Sequence, residues 1–213
     1  MARNPRPDPR RRSWRDARRA FTDAAHWFVQ VVPLAAGRWS SPGLGEWDLR
    51  ALVGHTSRAL LTVETYLDRP APTVQVGSAA DYFRATRAIA ASPDVAGRGR
   101  QAGCALGDDP AGAVTAIADR VLQLIGSSSG TEVVTTVVGG MRLEDYLRTR
   151  TFELTVHTAD LAAALSEPLD VPATAAAQTL QIISDLAVAN ALAGPLLLAA
   201  TGRPGLPAGY SVL

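Results

Sequence analysis

Two residues in the stretch Thr151–His157 have the types and spacing that bind a metal ion. Glu153 and His157 stand four positions apart in a segment with helical periodicity. On a helix this spacing places both side chains on one face, one turn apart. A carboxylate and an imidazole so arranged can bind one divalent cation together. Such a site needs a further ligand from elsewhere in the chain.

Few residues are candidates for that further ligand. Apart from acidic residues, the chain offers His26, His55 and Cys104. His26 is interpreted as a surface or boundary histidine, and Cys104, with no histidine near it in sequence, as unreactive. His55 lies at the margin of an apolar helical stripe, and taken alone it is interpreted as an ordinary core histidine. Considered together with the later pair, it completes our central hypothesis, a two-histidine, one-glutamate site spanning two helices.

Two charged neighbours could support this site. Arg150 lies one helical turn before Glu153, where it could hold an anionic substrate or pair with an acid. Asp160 lies one turn after His157, where its carboxylate could orient the imidazole. Ordinary ion pairing along an exposed helix face is an equally good interpretation of both residues.

The periodicity of apolar residues predicts a mostly helical chain. The expected helices are Ser13–Ala36, Leu49–Leu67, Ser78–Ala91, Pro110–Ile125, Leu143–Leu165 and Ala173–Ala200. Ser13, Asp48 and Asp109 are expected to begin three of these helices, as capping or flanking residues. The β-branched run Glu132–Val138 predicts a short strand or hairpin arm before a turn at Gly139-Gly140, and the glycine-rich run Ser92–Asp109 predicts irregular structure.

One glycine inside the second expected helix predicts a packing feature beside His55. Gly54 costs that helix about 1 kcal/mol relative to alanine. A close approach of another helix at this position would explain why a glycine is present. The expectation is therefore tight helix–helix packing next to His55.

Length and charge indicate one globular domain with a basic extension. The chain has 213 residues, 47% of them hydrophobic, which is enough for one core over residues 13–213. Residues 1–20 contain eight arginines and two aspartates, and residues 1–12 are expected to be a disordered basic tail. A solvated extension is favoured over a nucleic-acid arm, because the remaining chain has 13 arginines against 18 acidic residues. No nucleic-acid partner is expected.

No segment predicts a membrane span or a signal peptide. The longest apolar stretch, Ala187–Ala200, contains Asn190, Gly194 and Pro195 and is shorter than the roughly 20 residues that a span needs. The N-terminus has no apolar h-region. A single cysteine excludes an internal disulfide framework and fits a reducing compartment. These features predict a soluble cytoplasmic protein, for which a homodimer is one allowed assembly.

Several short segments also stand in an order that is typical of one known family. They are Trp39, Gly43–His55 (GLGEWDLRALVGH), Gly139-Gly140, Arg150–Leu161 (RTFELTVHTADL) and Thr201–Pro204 (TGRP). Together they resemble the mycothiol-dependent maleylpyruvate isomerase family, within the DinB-like superfamily of metal-binding helical bundles. The resemblance extends from Ser13 to the end of the sequence.

This resemblance implies a fold, a metal and a cosubstrate. The implied fold is all-α, a DinB-like up-and-down four-helix bundle with additional helices and at most a short β segment. The family binds its metal, usually zinc, through a histidine on the second helix and a later Glu-x-x-x-His, which correspond to His55, Glu153 and His157. The implied cosubstrate is mycothiol, an actinobacterial thiol, and arginine as the sole basic residue type fits such a source.

The resemblance supports the family's metal site in this sequence more strongly than it supports the family's reaction. The full-length isomerase has a second small α/β domain that supplies an active-site arginine, whereas this sequence ends at Leu213. The family's Pro-Gly-Trp before the second helix is here Gly-Leu-Gly-Glu-Trp47. We therefore expect a metal site and do not expect maleylpyruvate isomerisation itself.

Three protein ligands leave a coordination position open, as in catalytic zinc sites. A thiol bound there would be deprotonated and could attack a small electrophilic or anionic substrate. The expected activity is S-transfer or cis–trans isomerisation with mycothiol or a similar thiol. A metal-dependent hydrolase and a non-catalytic metal-binding module stay open as alternatives. The metal stays open among zinc, nickel, iron and manganese.

Overall fold

Helices form most of the fold. The computed structural model describes residues 9–92 and 94–213, with side chains from Ser13 onward. The helices in these ranges are α1 Pro9–Val31, α2 Leu49–Leu67, α3 Ala79–Ala90, α4 Asp94–Ala105, α5 Pro110–Ser127, α6 Leu143–Leu165, α7 Ala173–Ala189 and α8 Ala193–Ala200. A 3-10 turn, Val32–Ala35, extends α1. None of the described helices is both long and apolar enough to cross a membrane. The predicted all-α class is confirmed.

Four of these helices form a closed bundle around one core. α6 packs against α1 and α2, and α5 packs against the other side of the same two helices. The largest fully buried side chains of the bundle include Phe21, Phe28, Leu52, Leu60, Ile125, Leu147, Leu154 and Leu161. Each such side chain contributes roughly 1.5–3 kcal/mol when it is removed from water. α3, α4, α7 and α8 are additional helices outside this ring.

The two helices that carry the candidate ligands have the predicted boundaries. α2 begins after Asp48, whose carboxylate accepts a hydrogen bond from the backbone N–H of Ala51 at 2.8 Å. This is the expected N-cap arrangement. α6 begins directly after the second strand and ends at Ser166, which adopts a left-handed conformation with φ 61°.

The prediction for Ser92–Asp109 was wrong, because most of this segment is the helix α4. Its glycines disfavour an isolated helix, but they allow α4 to approach α2 at backbone distance. A Cβ atom on Gly54 would lie 2.0 Å from the backbone nitrogen of Gly103. The close approach predicted beside His55 is therefore confirmed, and tertiary packing compensates for the poor helix propensity of the glycines.

The predicted β segment is a short antiparallel hairpin. β1, Val133–Thr136, pairs with β2, Gly139–Arg142, across a turn at Val137-Val138. Gly139-Gly140 was expected to form a turn and instead begins β2. A Cβ atom on Gly140 would lie 2.0 Å from the carbonyl oxygen of Thr73, so glycine allows the hairpin to rest on the α2–α3 connection.

Two further helix boundaries differ from prediction. α1 begins at Pro9 rather than Ser13, because proline is tolerated in a first turn and the following arginines favour helix. Residues 9–12 of the expected tail are thus helical, and residues 1–8 lie outside the described residues. The last expected helix is divided into α7 and α8, because Ala191 adopts φ 56° between them.

Candidate metal centre

The bundle places His55 of α2 beside Glu153 and His157 of α6. Each residue offers one ligand atom, and the three atoms lie within 4.8 Å of one another. The ring centroids of the two histidines are 4.8 Å apart, with the rings nearly perpendicular. Ligand atoms lie about 2 Å from a bound zinc ion. Small side-chain rotations would therefore bring all three atoms onto one cation.

Local structure explains this convergence. Glu153 and His157 share a face of α6, and the leucines of the adjoining stripe, such as Leu154 and Leu161, are fully buried in the bundle core. α2 packs against α6 along this side. His55 follows Gly54, the residue at which α2 meets α4. The His55 side chain lies in the pocket wall and not in the centre of the core. All three candidate ligands are half-buried.

Asp160 contacts the back of His157. Its Oδ2 lies 3.0 Å from Nδ1 of His157, while Nε2 of the same ring lies 3.3 Å from Oε2 of Glu153. An Nδ1–H donated to Asp160 leaves the Nε2 lone pair directed at the site, which is the usual arrangement of a metal-binding histidine. The predicted position of Asp160 one turn beyond His157 is observed.

Arg150 lies on the other side of Glu153. Its guanidinium is 3.9 Å from Oε1 of Glu153 and its Nε donates to the hydroxyl of Thr149 at 3.0 Å. The guanidinium carbon also lies 5.5 Å and 5.1 Å from the ring centroids of Tyr82 and Tyr146. Such cation–π contacts stabilise a buried cation. Arg150 is therefore held firmly beside the candidate ligands.

The two histidines differ in protonation when no metal is bound. Burial and the positive charge of His157 lower the pKa of His55 to about 4. Burial would also lower the pKa of His157, but hydrogen bonds to Asp160 and Glu153 outweigh it and raise this pKa to about 9. Burial alone would raise the pKa of Glu153, but its hydrogen bond with His157 and the charge of Arg150 lower it to about 2.

The donor set fits a divalent cation. Nδ1 of His55 is buried and has no hydrogen-bond partner within the described part of the chain, so no described protein group holds the ring through this atom. His55 is neutral and Glu153 is ionised, as metal ligands must be. His157, whose pKa is raised to about 9, would release its Nε2 proton when a cation binds. Two imidazoles and a carboxylate suit zinc and the neighbouring first-row metals.

The candidate ligands lie in the wall of a pocket of about 750 Å³. Apolar residues line much of it, including Phe83, Ile89 and Val95. Its charged lining residues are Arg58, Arg87, Arg98, Arg150 and Glu153. Among the described residues, Arg58, Arg87 and Arg98 form no ion pair. The pocket thus combines an apolar body with a positive lining.

Sequence reasoning missed two aromatic residues of the site. Trp47 stacks on His55, and Tyr82 contacts Arg150. Trp47 directly precedes Asp48, the N-cap of α2, and this position in the sequence could have indicated that it lies near His55. Tyr82 belongs to α3, and nothing in the sequence indicated that it lies near Arg150. The surface interpretation of His26 agrees with its exposure, and Cys104 is exposed on α4.

Fold and geometry together define a class of protein, a helical bundle with a candidate two-histidine, one-glutamate metal centre. Residues 15–162 match the family model of the mycothiol maleylpyruvate isomerase N-terminal domain. The chain therefore belongs to this family, which confirms the resemblance seen in the sequence. No curated protein and no solved structure matches the chain. The matched range includes all three candidate ligands.

Proposed function

We propose that this protein binds one divalent metal ion, zinc in the first instance, through His55, Glu153 and His157. We further propose that it uses this ion to activate mycothiol or a similar small thiol for S-transfer or cis–trans isomerisation. The observation that carries the proposal is the convergence of three ligand atoms within 4.8 Å in the wall of a pocket. Membership of a mycothiol-related family supports the choice of thiol.

Three protein ligands leave at least one position for an exogenous ligand. A bound metal would supply deprotonation of a coordinating thiol at neutral pH. Asp160 holds Nδ1 of His157, which directs Nε2 at the site. Arg150 holds one oxygen of Glu153 and leaves the other toward His157. These contacts preorganise two ligands before any cation binds.

The remaining pocket lining favours a small anionic or electrophilic cosubstrate. Arg150 lies beside the ligands and makes only one protein hydrogen bond in the described part of the chain. Its other N–H groups are available to a carboxylate or carbonyl oxygen, a geometry that guanidinium groups favour. A substrate oxygen held there would place the rest of the molecule next to the metal position.

Elemental analysis of protein purified without a metal-affinity tag tests the first half of the proposal. We expect one equivalent of a divalent metal, and a metal content near zero would contradict it. The second half is tested with cobalt-substituted protein. Mycothiol should add a sulfur–cobalt charge-transfer band. The analogue of mycothiol in which serine replaces cysteine has a hydroxyl in place of the thiol and should not add this band. If cobalt binds and no thiol changes the spectrum, thiol activation is wrong, and the metal-dependent hydrolase or the non-catalytic metal-binding module takes its place.

A further inference from the structure

The two histidines of the candidate centre are oriented in different ways. Asp160 contacts Nδ1 of His157 at 3.0 Å and so fixes its ring by a hydrogen bond. Nδ1 of His55 has no such partner among the described residues. Histidines that bind metals usually have a hydrogen-bond acceptor behind the ring, and the loss of that partner weakens metal binding. Among the described residues, no hydrogen bond at Nδ1 orients the His55 ring, which leaves packing as the means of orienting it.

The indole of Trp47 is the group packed on that ring. The ring centroids of Trp47 and His55 are 4.3 Å apart at an interplanar angle of 32°. The Trp47 centroid also lies 6.4 Å from that of His157, in an edge-on arrangement. The His55 ring therefore lies between an indole on one side and the perpendicular His157 ring on another.

Trp47 is itself anchored by α4. Its indole N–H donates to the carbonyl oxygen of Ala96 at 3.1 Å. A Cβ atom on Gly99 would lie 2.6 Å from the indole nitrogen, so only glycine leaves room for the ring at that position. The backbone of Trp47 is held as well, because its N–H donates to Leu44 and its carbonyl accepts from Gly43.

We propose that Trp47 is a positioning residue, whose indole, seated on Gly99 and bonded to Ala96, holds the His55 ring in the orientation that binds metal. α4 thus contacts the His55 ring through this indole. The inference rests on the proposed metal site, but it concerns the ring of His55 and is measurable without metal. It also gives a function to the glycine-rich composition of α4.

Metal affinity of three variants tests the proposal, measured by competition with a chromophoric chelator. Trp47→Leu removes the stacking ring, and we expect its affinity to fall about 10–100-fold, the usual effect of losing an orienting partner. Trp47→Phe keeps a smaller ring without the N–H, and we expect it to recover part of the loss. Gly99→Ala leaves Trp47 in the chain but displaces its indole, and we expect a loss similar to that of Trp47→Leu.

The matched control is Gly97→Ala, on the same helix, where an added Cβ would meet nothing within 4 Å. Both glycine replacements favour helix to the same degree, so only displacement of the indole separates them. In the Trp47→Leu background, Gly99→Ala should have no further effect on affinity, because the displaced ring is gone. Equal affinities for Gly99→Ala and Gly97→Ala would overturn the proposal.

Imidazole NMR spectra of the metal-free proteins distinguish this proposal from the proposed function. Wild type should show one sharp set of His55 ring signals, and Trp47→Leu should show exchange-broadened or multiple sets. If wild type binds no metal, the metal hypothesis is wrong, while the ring signals still report on positioning. If the His55 signals of Trp47→Leu stay as sharp as those of wild type and its metal affinity is unchanged, Trp47 does not position the histidine.

Discussion

His157 is the candidate ligand with the most interactions. Its two ring nitrogens face different carboxylates, Glu153 at 3.3 Å and Asp160 at 3.0 Å. Only the first of these nitrogens faces the candidate centre, because the second is directed at Asp160. The imidazole of His157 thus contacts the neighbouring candidate ligand, Glu153, on one side and the carboxylate of Asp160 on the other. We therefore expect substitutions of His157 to affect metal binding strongly.

Replacement of His157 by alanine should abolish stoichiometric metal binding. Two remaining ligands seldom hold zinc well, since structural and catalytic sites use at least three. The helical fold should persist, because the fully buried leucines of α6 stay in place and His157 itself is only half-buried. Elemental analysis and far-UV circular dichroism measure the two effects.

The matched control is His26→Ala, which removes an exposed histidine from α1. It should leave one equivalent of metal bound. Retention of full metal content by His157→Ala would show that the cation binds elsewhere in the chain.

Replacement of Asp160 by asparagine should weaken metal binding without abolishing it. The amide can still contact Nδ1 of His157, but it lacks the charge that favours the correct tautomer and a basic ligand. The expected loss is about 10–100-fold in affinity, measured by chelator competition. Asp108→Asn, in an exposed position between α4 and α5, is the control and should bind metal as wild type does. An unchanged metal affinity for Asp160→Asn would show that the contact between Asp160 and His157 is ordinary ion pairing along a helix and does not support metal binding.

At the scale of elements, the interfaces of α2 with α6 and with α4 are of different kinds. One side of α2 packs on α6 through large apolar side chains, and another meets α4 almost backbone to backbone at Gly54 and Gly103. Arg50 reinforces the second interface, because its Nε donates to the carbonyl oxygen of Gly103 at 3.0 Å. The position of α4, and through it that of the pocket wall, thus depends on the absence of a side chain at one residue of α2.

Gly54→Ala should therefore destabilise the protein although alanine favours helix. The new Cβ would lie 2.0 Å from the backbone nitrogen of Gly103, and backbone cannot move aside as a flexible side chain can. Overpacking of this kind typically costs about 1–3 kcal/mol, measurable by urea unfolding. Gly126→Ala in α5, where a Cβ would meet nothing within 4 Å, should be neutral or stabilising. A stabilised Gly54→Ala protein would contradict the tight α2–α4 interface.

The elements that were predicted correctly have local causes. α2 and α6 follow from an N-cap aspartate or a leucine stripe, which are visible within a few residues of sequence. α4 could not be predicted, because its glycines oppose helix locally, and Gly103 and Gly99 are favoured only by tertiary contacts with Gly54 and Trp47. The position of Trp47 next to the N-cap of α2 was visible in the sequence, but its anchoring by Ala96 was not, because Ala96 belongs to α4. The three candidate ligands could be predicted from the sequence, because Glu153 and His157 share a helical face and so indicated a metal site.

At the scale of the whole molecule, the candidate centre connects distant parts of the chain. His55 and Glu153 belong to the second and sixth helices, yet they approach within 4.8 Å. A cation bound by both would hold α2 against α6. Because the unfolded chain has no preformed site, metal binding should stabilise the native state.

Metal removal should therefore lower the melting temperature. At a free metal concentration 100 times the dissociation constant, binding adds about 2.7 kcal/mol to the free energy of unfolding. Calorimetry of the metal-loaded and chelator-treated protein measures the difference. His157→Ala is the control and should melt at one temperature with and without chelator. Identical melting curves for both forms of wild type would show that the cation does not bind the native centre preferentially.

The pairing of α1 with α6 also has a consequence for the order in which the molecule assembles. Ser13 contacts Glu144, 131 positions further along the chain, so the first helix finds its main partner only after most of the chain has been made. Contacts of such separation slow folding, because a long loop must close before they form. During synthesis the part of the apolar face of α1 that α6 covers is therefore exposed until α6 emerges. Its stretch Phe21–Phe28 is accordingly where a nascent chain of this protein would need a chaperone.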